Sequence, residues 1–226
     1  LALQPSRPKP SARATEQQKQ LYARFRRETA IPNLAVARVH ALRDSLARSG
    51  QLQRQVLLAV DGGYTNKTLL ANLPSRTALI GRLRKDAKLF APPPATGVQR
   101  GRPKLYGQPL PTPEQLLLDP STGWQTVSAF AAGQRREFHC KTFDGCRWPK
   151  VAGGRDLRVV VVRPLSRTPH ERGRRLFFAH PGYLVCSDPS VDVAQIIQAY
   201  VWRWEIEVGF RDQKTHLGLG QPQCRT

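Results

Sequence analysis

Tyr200, Arg203, Glu207 and Lys214 stand at offsets of three, seven and fourteen from the first, within the run VDVAQIIQAYVWRWEIEVGFRDQKTHLGLGQ. At about 100° of rotation per helical residue, these offsets bring the four side chains within roughly 60° of one another. Arg211 falls in the same sector, whereas Glu205 points roughly 100° or more away. A carboxylate sharing a helix face with cations and a phenol has two readings. One is a solvated surface laced with i,i+4 pairs; the other is a metal-binding acid beside phosphate clamps. A second acid, Asp61, follows the apolar run QVLLAV and precedes Gly62 and Gly63. Asp61 and Glu207 are hard-oxygen ligands of the kind Mg²⁺ takes, with positions left open for a scissile phosphate and water. In-line phosphoryl displacement between two metal ions needs several carboxylates from different elements, and two are few for it.

The elements that must position these residues follow from pattern. Leu34, Ala35, Val36, Val39, Leu42 and Leu46 recur near helical spacing between Glu16 and Ser49, with Pro32 dividing the stretch into two helices and Gly50 ending it. QVLLAVDGGYTN reads as strand and turn, KTLLANL as helix and TALIGRL, residues 77–83, as a second strand. That order predicts an α/β layer with parallel strands and Asp61 at a strand's C-terminal end. From Phe90 to Pro189 the chain turns Pro- and Gly-rich around β-favouring runs such as LRVVVV and RLFFAHPGYLVC, and reads as a β-rich insertion. One long helix is predicted from Val191 to His216, with Asp188 or Ser190 as its N-cap. The division is therefore residues 1–89, part of an α/β core; 90–189, the insertion; and 190–226, the helix bearing Glu207.

Composition narrows the partner. Of 226 residues, 36 are Lys or Arg against 16 Asp or Glu, a net charge of +20. A polyanion is the natural partner, and nucleic acid fits because each cation that neutralises a phosphate releases condensed counterions. No apolar run of about 20 residues or amphipathic anchor speaks for a membrane. Cys140, Cys146, Cys186 and Cys224 are too widely spaced for paired zinc knuckles and read as free thiols of a reducing cytoplasm. The five histidines show neither metal-ligand spacing nor a nucleophile partner. The basic run RGRPKLYG, residues 100–107, suits either a phosphate backbone or plain solvation.

The spacing Tyr200, two residues, Arg203, three residues, Glu207, six residues, Lys214 resembles the Y-R-E-K signature of transposases from a large group of bacterial insertion sequences. AVDGGYTN around Asp61 is similar to the strand and turn that hold this family's second acid, and GFRDQKTHLGLGQ is similar to its sequence after the glutamate. The resemblance spans residues 16–220. It implies an RNase H-like mixed sheet flanked by helices, with a β-rich insertion before the last catalytic helix. Asp61 and Glu207 would be the second and third members of an Asp-Asp-Glu triad chelating Mg²⁺. Tyr200, Arg203, Arg211 and Lys214 would contact phosphates of the transposon's terminal inverted repeats, and synapsis of two ends implies a homodimer. The activity implied is DNA cleavage and transfer of a 3′-hydroxyl to target DNA, in the bacterial cytoplasm at the nucleoid. Trp124 and Trp148 are stacking candidates for a displaced base, or core residues.

The departure from the pattern lies at the front. The family's first aspartate belongs on a strand before the first helix, yet only the Pro-rich LALQPSRPKPSARAT precedes that helix, and Glu16, Glu28 and Asp44 lie in helical surroundings. With no Met and a Leu-Ala-Leu-Gln-Pro beginning, the chain reads as an N-terminally truncated piece, inactive alone. The alternatives are a non-catalytic basic DNA-binding module, in which Glu207 only pairs with Arg203 and Arg211, and a decayed remnant of a transposase.

Overall fold

A computed structural model describes residues 7–94, 104–131, 133–164 and 180–217. Two helices lead, α1 (Glu16–Glu28) and α2 (Ile31–Arg48). Thr15 and Gln18 start α1 with a reciprocal capping box, the Thr15 hydroxyl accepting from the Gln18 amide at 3.3 Å and the Gln18 side chain from the Thr15 amide at 3.0 Å. Pro32 sits in the first turn of α2, where its missing N–H costs nothing, and Gly50 leaves that helix at φ +73°. The inward face of α2 differs in one place from the apolar pattern. Leu42 is exposed, while Arg43 is buried and donates to the carbonyls of Arg54 at 2.6 Å and Leu52 at 2.7 Å. Its guanidinium thereby satisfies the turn that feeds the first strand, a use of a cation that hydrophobic spacing does not reveal.

The strands β1 (Val56–Ala59) and β2 (Thr77–Arg82) are parallel, joined through the short helix α3 (Lys67–Ala71), as the sequence predicts. Residues 90–189 then supply α4 (Pro113–Leu118), β3 (Gln125–Ala131), β4 (Gln134–Cys146), α5 (Pro149–Ala152), β5 (Leu157–Val162) and β6 (Gly182–Cys186). These strands are antiparallel and continue the sheet that β1 and β2 begin, in the order β1-β2-β6-β5-β4-β3. The result is one mixed α/β sheet of six strands. Of the expected strand RLFFAHPGYLVC, residues 182–186 pair, and residues 165–179 lie outside those described, as do 95–103, which include the start of RGRPKLYG.

Burial follows the pleat. β5 reads LRVVVV because both of its faces are covered: Val160 packs with the α6 side, Val159 and Val161 with the α4 side. The last helix, α6 (Val193–Leu217), lies on β3, β1 and β2 and buries Ile196, Ile197 and Val201 beside Ala78, Ile80, Phe138 and Leu184. Each such side chain contributes about 1.5–3 kcal/mol. Gln198 fixes the helix against β3, its amide accepting from Phe130 N at 2.7 Å and donating to Phe130 O at 2.9 Å. Beyond Val201 the helix leaves the core, and Trp202, Ile206 and Phe210 are exposed.

The helix entry corrects one expectation. Asp188 is occupied otherwise, accepting from the Ser190 amide at 2.9 Å and hydroxyl at 2.6 Å and from Gln55 at 3.1 Å. Asp192 caps α6 instead, its carboxylate accepting from the Ala194 amide at 2.7 Å. An Asx turn so close to the helix consumes the first aspartate and leaves the second to the cap. Among the described residues no helix is long and apolar enough to cross a membrane.

Candidate functional site

Asp61 lies just past the C-terminal end of β1, after Val60, whose amide still donates to Ile80 O at 2.8 Å. Its carboxylate is exposed, and one oxygen accepts from the amides of Gly63 at 2.9 Å and Tyr64 at 3.2 Å. These bonds fix the carboxylate over the turn and leave its other oxygen without a partner among the described residues. Below the turn, the buried Thr65 donates from its hydroxyl to Asp61 O at 3.0 Å, and Asn66 caps α3 by accepting from Leu69 N at 3.1 Å. Thr65 fits only because residue 81 of β2 is glycine. A Cβ there would overlap the Thr65 hydroxyl and stand 3.0 Å from its methyl carbon.

On α6 the structure brings Tyr200, Arg203 and Glu207 together. Arg203 donates to Glu207 Oε1 at 2.6 Å across one helical turn, with its guanidinium 5.0 Å from the Tyr200 ring centre and 5.7 Å from that of Trp204. The side chain of Arg203 is 15% exposed and that of Glu207 49%. Burial pulls the Arg203 pKa down, but the bond to Glu207 and the contact with Tyr200 outweigh it, and the pKa is raised. Arg203 is thus a fixed cation, held on an aromatic shelf. Among the described residues, Arg203 Nε and Trp204 Nε1 are buried donors without an acceptor. Lys214 is exposed farther along α6, and Arg211 lies between them on the helix with its side chain outside the described residues.

Asp61 follows β1, on which α6 packs, and Glu207 lies farther along α6, beyond the residues that enter the core. Among the described residues no group of three or more His, Cys, Asp or Glu side chains converges as a metal site would require. The donor chemistry of Asp61 and Glu207 still suits a hard cation: each is an exposed carboxylate with one oxygen committed within the protein.

The tryptophans take different places. Trp124 lies against Lys141, whose ammonium is 4.6 Å from its ring centre, and Arg163 at 5.8 Å. Lys141 is a residue that spacing in the sequence does not single out: only 2% exposed, it donates to the carbonyls of Leu116 at 3.1 Å, Leu117 at 3.3 Å and Asp119, closing the C-terminal end of α4. Trp148 is half-buried at the start of α5 and borders a cavity beside the Asp61 turn. That cavity is the other feature sequence reasoning misses, although the charge run RLRKDAK directly after a parallel strand is a signal for it. Of the histidines, His40 meets Asn72 O at 2.9 Å and His139 meets the Thr126 hydroxyl at 3.0 Å, both structural contacts. Cys140, Cys146 and Cys186 are buried free thiols. Comparison with protein-family models, curated proteins and solved structures finds no match to this chain.

Proposed function

We propose that this chain is part of a DNA transposase of the Asp-Asp-Glu kind, with an RNase H-like core, that cleaves and joins DNA by metal-dependent phosphoryl transfer. The observation that carries the reading is the α6 face, where Tyr200, Arg203 and Glu207 meet on a helix packed against β1, the strand that precedes Asp61. Asp61 and Glu207 would hold Mg²⁺, and Arg203, Tyr200, Arg211 and Lys214 would hold DNA phosphates at the transposon end. When bound, Mg²⁺ polarises the scissile phosphate and lowers the pKa of the attacking hydroxyl. Arg203 supplies a permanent positive charge with its orientation already fixed, so little ordering entropy is lost when a phosphate arrives. On this reading a third carboxylate comes from a strand outside the six described. β1 pairs only with β2 among the described residues.

The test is a Mn²⁺ titration followed by electron paramagnetic resonance, on the chain mixed with duplex DNA bearing a free 3′-hydroxyl. Asp61→Asn and Glu207→Gln are each expected to weaken Mn²⁺ binding about tenfold or more, the loss of one charged ligand. Binding that neither substitution changes, or no binding in the parent chain, sinks the metal-dependent reading.

A second reading, a basic DNA-binding module without catalysis, is favoured by one observation. Glu207 already pairs with Arg203 at 2.6 Å, the i,i+4 contact an ordinary helix surface makes. It requires DNA binding that falls steeply with salt and is indifferent to divalent metal.

A further inference from the structure

Past Val201, α6 carries Trp202, Ile206 and Phe210 at i, i+4 and i+8, and the three residues are 57%, 60% and 56% exposed. That spacing makes them one ridge along the helix. Ala199, Gly209 and Gln213 share the same arc of about 100°, and no charged residue of α6 falls within it. Toward its N-terminal end the ridge runs into an apolar cavity of about 470 Å³ between α6 and β1, lined by Leu57, Ala59, Ala194, Ala199 and Trp202 itself. Side chains of this size, more than half exposed, leave on the order of 300–400 Å² of apolar surface, a patch of the kind that marks an interaction site. Glu207 lies about 100° from Ile206 round the helix, so its carboxylate stays open when the ridge is covered.

The order of the ridge selects the partner. Two aromatic rings stand four residues to either side of Ile206, so the strip is self-complementary. A two-fold axis through Ile206, the symmetry of an isologous contact, lays Trp202 of one copy against Phe210 of the other and Ile206 against Ile206. Ridges of i±4n residues interlock at about −50°, the commonest helix crossing. Gly209, where a Cβ would meet nothing within 4 Å, leaves a hollow beside the ridge for an incoming side chain. Charge makes the same choice. Two copies at +20 repel one another, and a charge-free strip lets them meet without setting like charges face to face. A phosphate backbone finds no cation on it. We infer that this strip joins two copies of the chain as an antiparallel α6 pair, without DNA or metal. The homodimer that the resemblance implies arises when two DNA ends are brought together; this pairing needs neither end. Together the two ridges bury about 600–800 Å² before the cavity rim is added, at the small end of specific interfaces, so the dimer is weak, with a Kd on the order of 10 µM.

Sedimentation velocity of the chain in EDTA and without DNA, from about 1 to 200 µM, tests the pairing. The mass is expected to rise with concentration from 25.3 kDa toward twice that value. Raising NaCl from about 0.1 to 0.5 M should tighten the dimer by screening the like net charges, the reverse of its effect on DNA binding. Ile206→Glu sets two carboxylates against each other on the axis and is expected to weaken the dimer at least about hundredfold. Trp202→Ala removes a ring from both ends of the contact and should weaken it about tenfold or more. Both side chains are exposed, and an unchanged far-ultraviolet circular dichroism spectrum and urea midpoint establish that each variant folds. A chain that stays at 25.3 kDa throughout overturns the inference, as do larger assemblies without a dimer, a dimer that either folded variant leaves unchanged, or one that appears only with DNA. None of these outcomes depends on metal at Asp61 or Glu207, so a failed Mn²⁺ experiment leaves the pairing intact.

Discussion

Gly81→Ala tests whether the sheet dictates the position of Asp61. The added methyl would overlap the Thr65 hydroxyl and lie 3.0 and 3.1 Å from its two other side-chain carbons, and Thr65 is only 6% exposed, with little room to retreat. Overpacking of this kind costs about 1–3 kcal/mol. Displacing Thr65 also breaks its 3.0 Å bond to Asp61 O, worth about 1 kcal/mol. The expected total is about 2–4 kcal/mol, or about 1–2 M in the midpoint of urea unfolding at a slope near 2 kcal/mol/M. Thr65→Ala alone loses the bond and a methyl, about 1–2 kcal/mol. In that background most of the clash is gone, so adding Gly81→Ala should cost less than about 1 kcal/mol. The two substitutions are therefore expected to be non-additive by about 1–3 kcal/mol, with Mn²⁺ binding reduced in Gly81→Ala and partly restored in the double variant. Additivity within about 0.5 kcal/mol would refute the idea that Thr65 transmits the fit of β2 to the Asp61 turn.

Three further outcomes are expected. Glu207→Gln should change stability by only about 0.3–0.5 kcal/mol, the value of an i,i+4 pair, because Glu207 is 49% exposed; a large loss in urea unfolding would show the pair to be a structural necessity. Lys141→Met should destabilise the chain by about 2 kcal/mol, since α4 loses a charged donor to three carbonyls while relief of the buried charge offsets part of the loss; unfolding at the parent midpoint contradicts this. Burial pushes the thiols of Cys140, Cys146 and Cys186 up to about 11, 12 and 11. In the unfolded chain they ionise near pH 8.5. The folded state holds more protons between those limits, so its stability is full below the unfolded pKa and is lost as pH rises through the folded values. Urea midpoints from pH 7 to 11 should fall at the alkaline end, and a thiol reagent at pH 8 should react with these three only on unfolding. Rapid labelling of all three in the native chain would contradict their burial.

What is legible in the sequence divides along a physical line. Periodicity carries α2, β1, β2, β5 and α6 because each buries an apolar stripe or is covered on both faces, and it carries the shared face of Tyr200, Arg203 and Glu207 because helical rotation is geometry alone. It does not carry β3, nor β4, whose run QRREFHCKTFDGC mixes exposed Arg135 and Glu137 with buried Phe138, Cys140 and Lys141. A strand that buries a lysine looks polar until the helix end that the lysine closes is known, and that end lies 22 to 25 residues away in the chain. Arg43 is hidden for the same reason, since its acceptors belong to a turn outside its own helix. The cavity beside Asp61 is still less legible: Lys67 of α3, Arg82 of β2 and Trp148 at the start of α5 line it together only in the folded chain. A cation on a helix declares its neighbours by spacing; a cation at the end of a strand acquires them from the sheet. The catalytic reading begins from a helical spacing with two explanations, surface pair or metal ligand, and only a bound metal chooses between them.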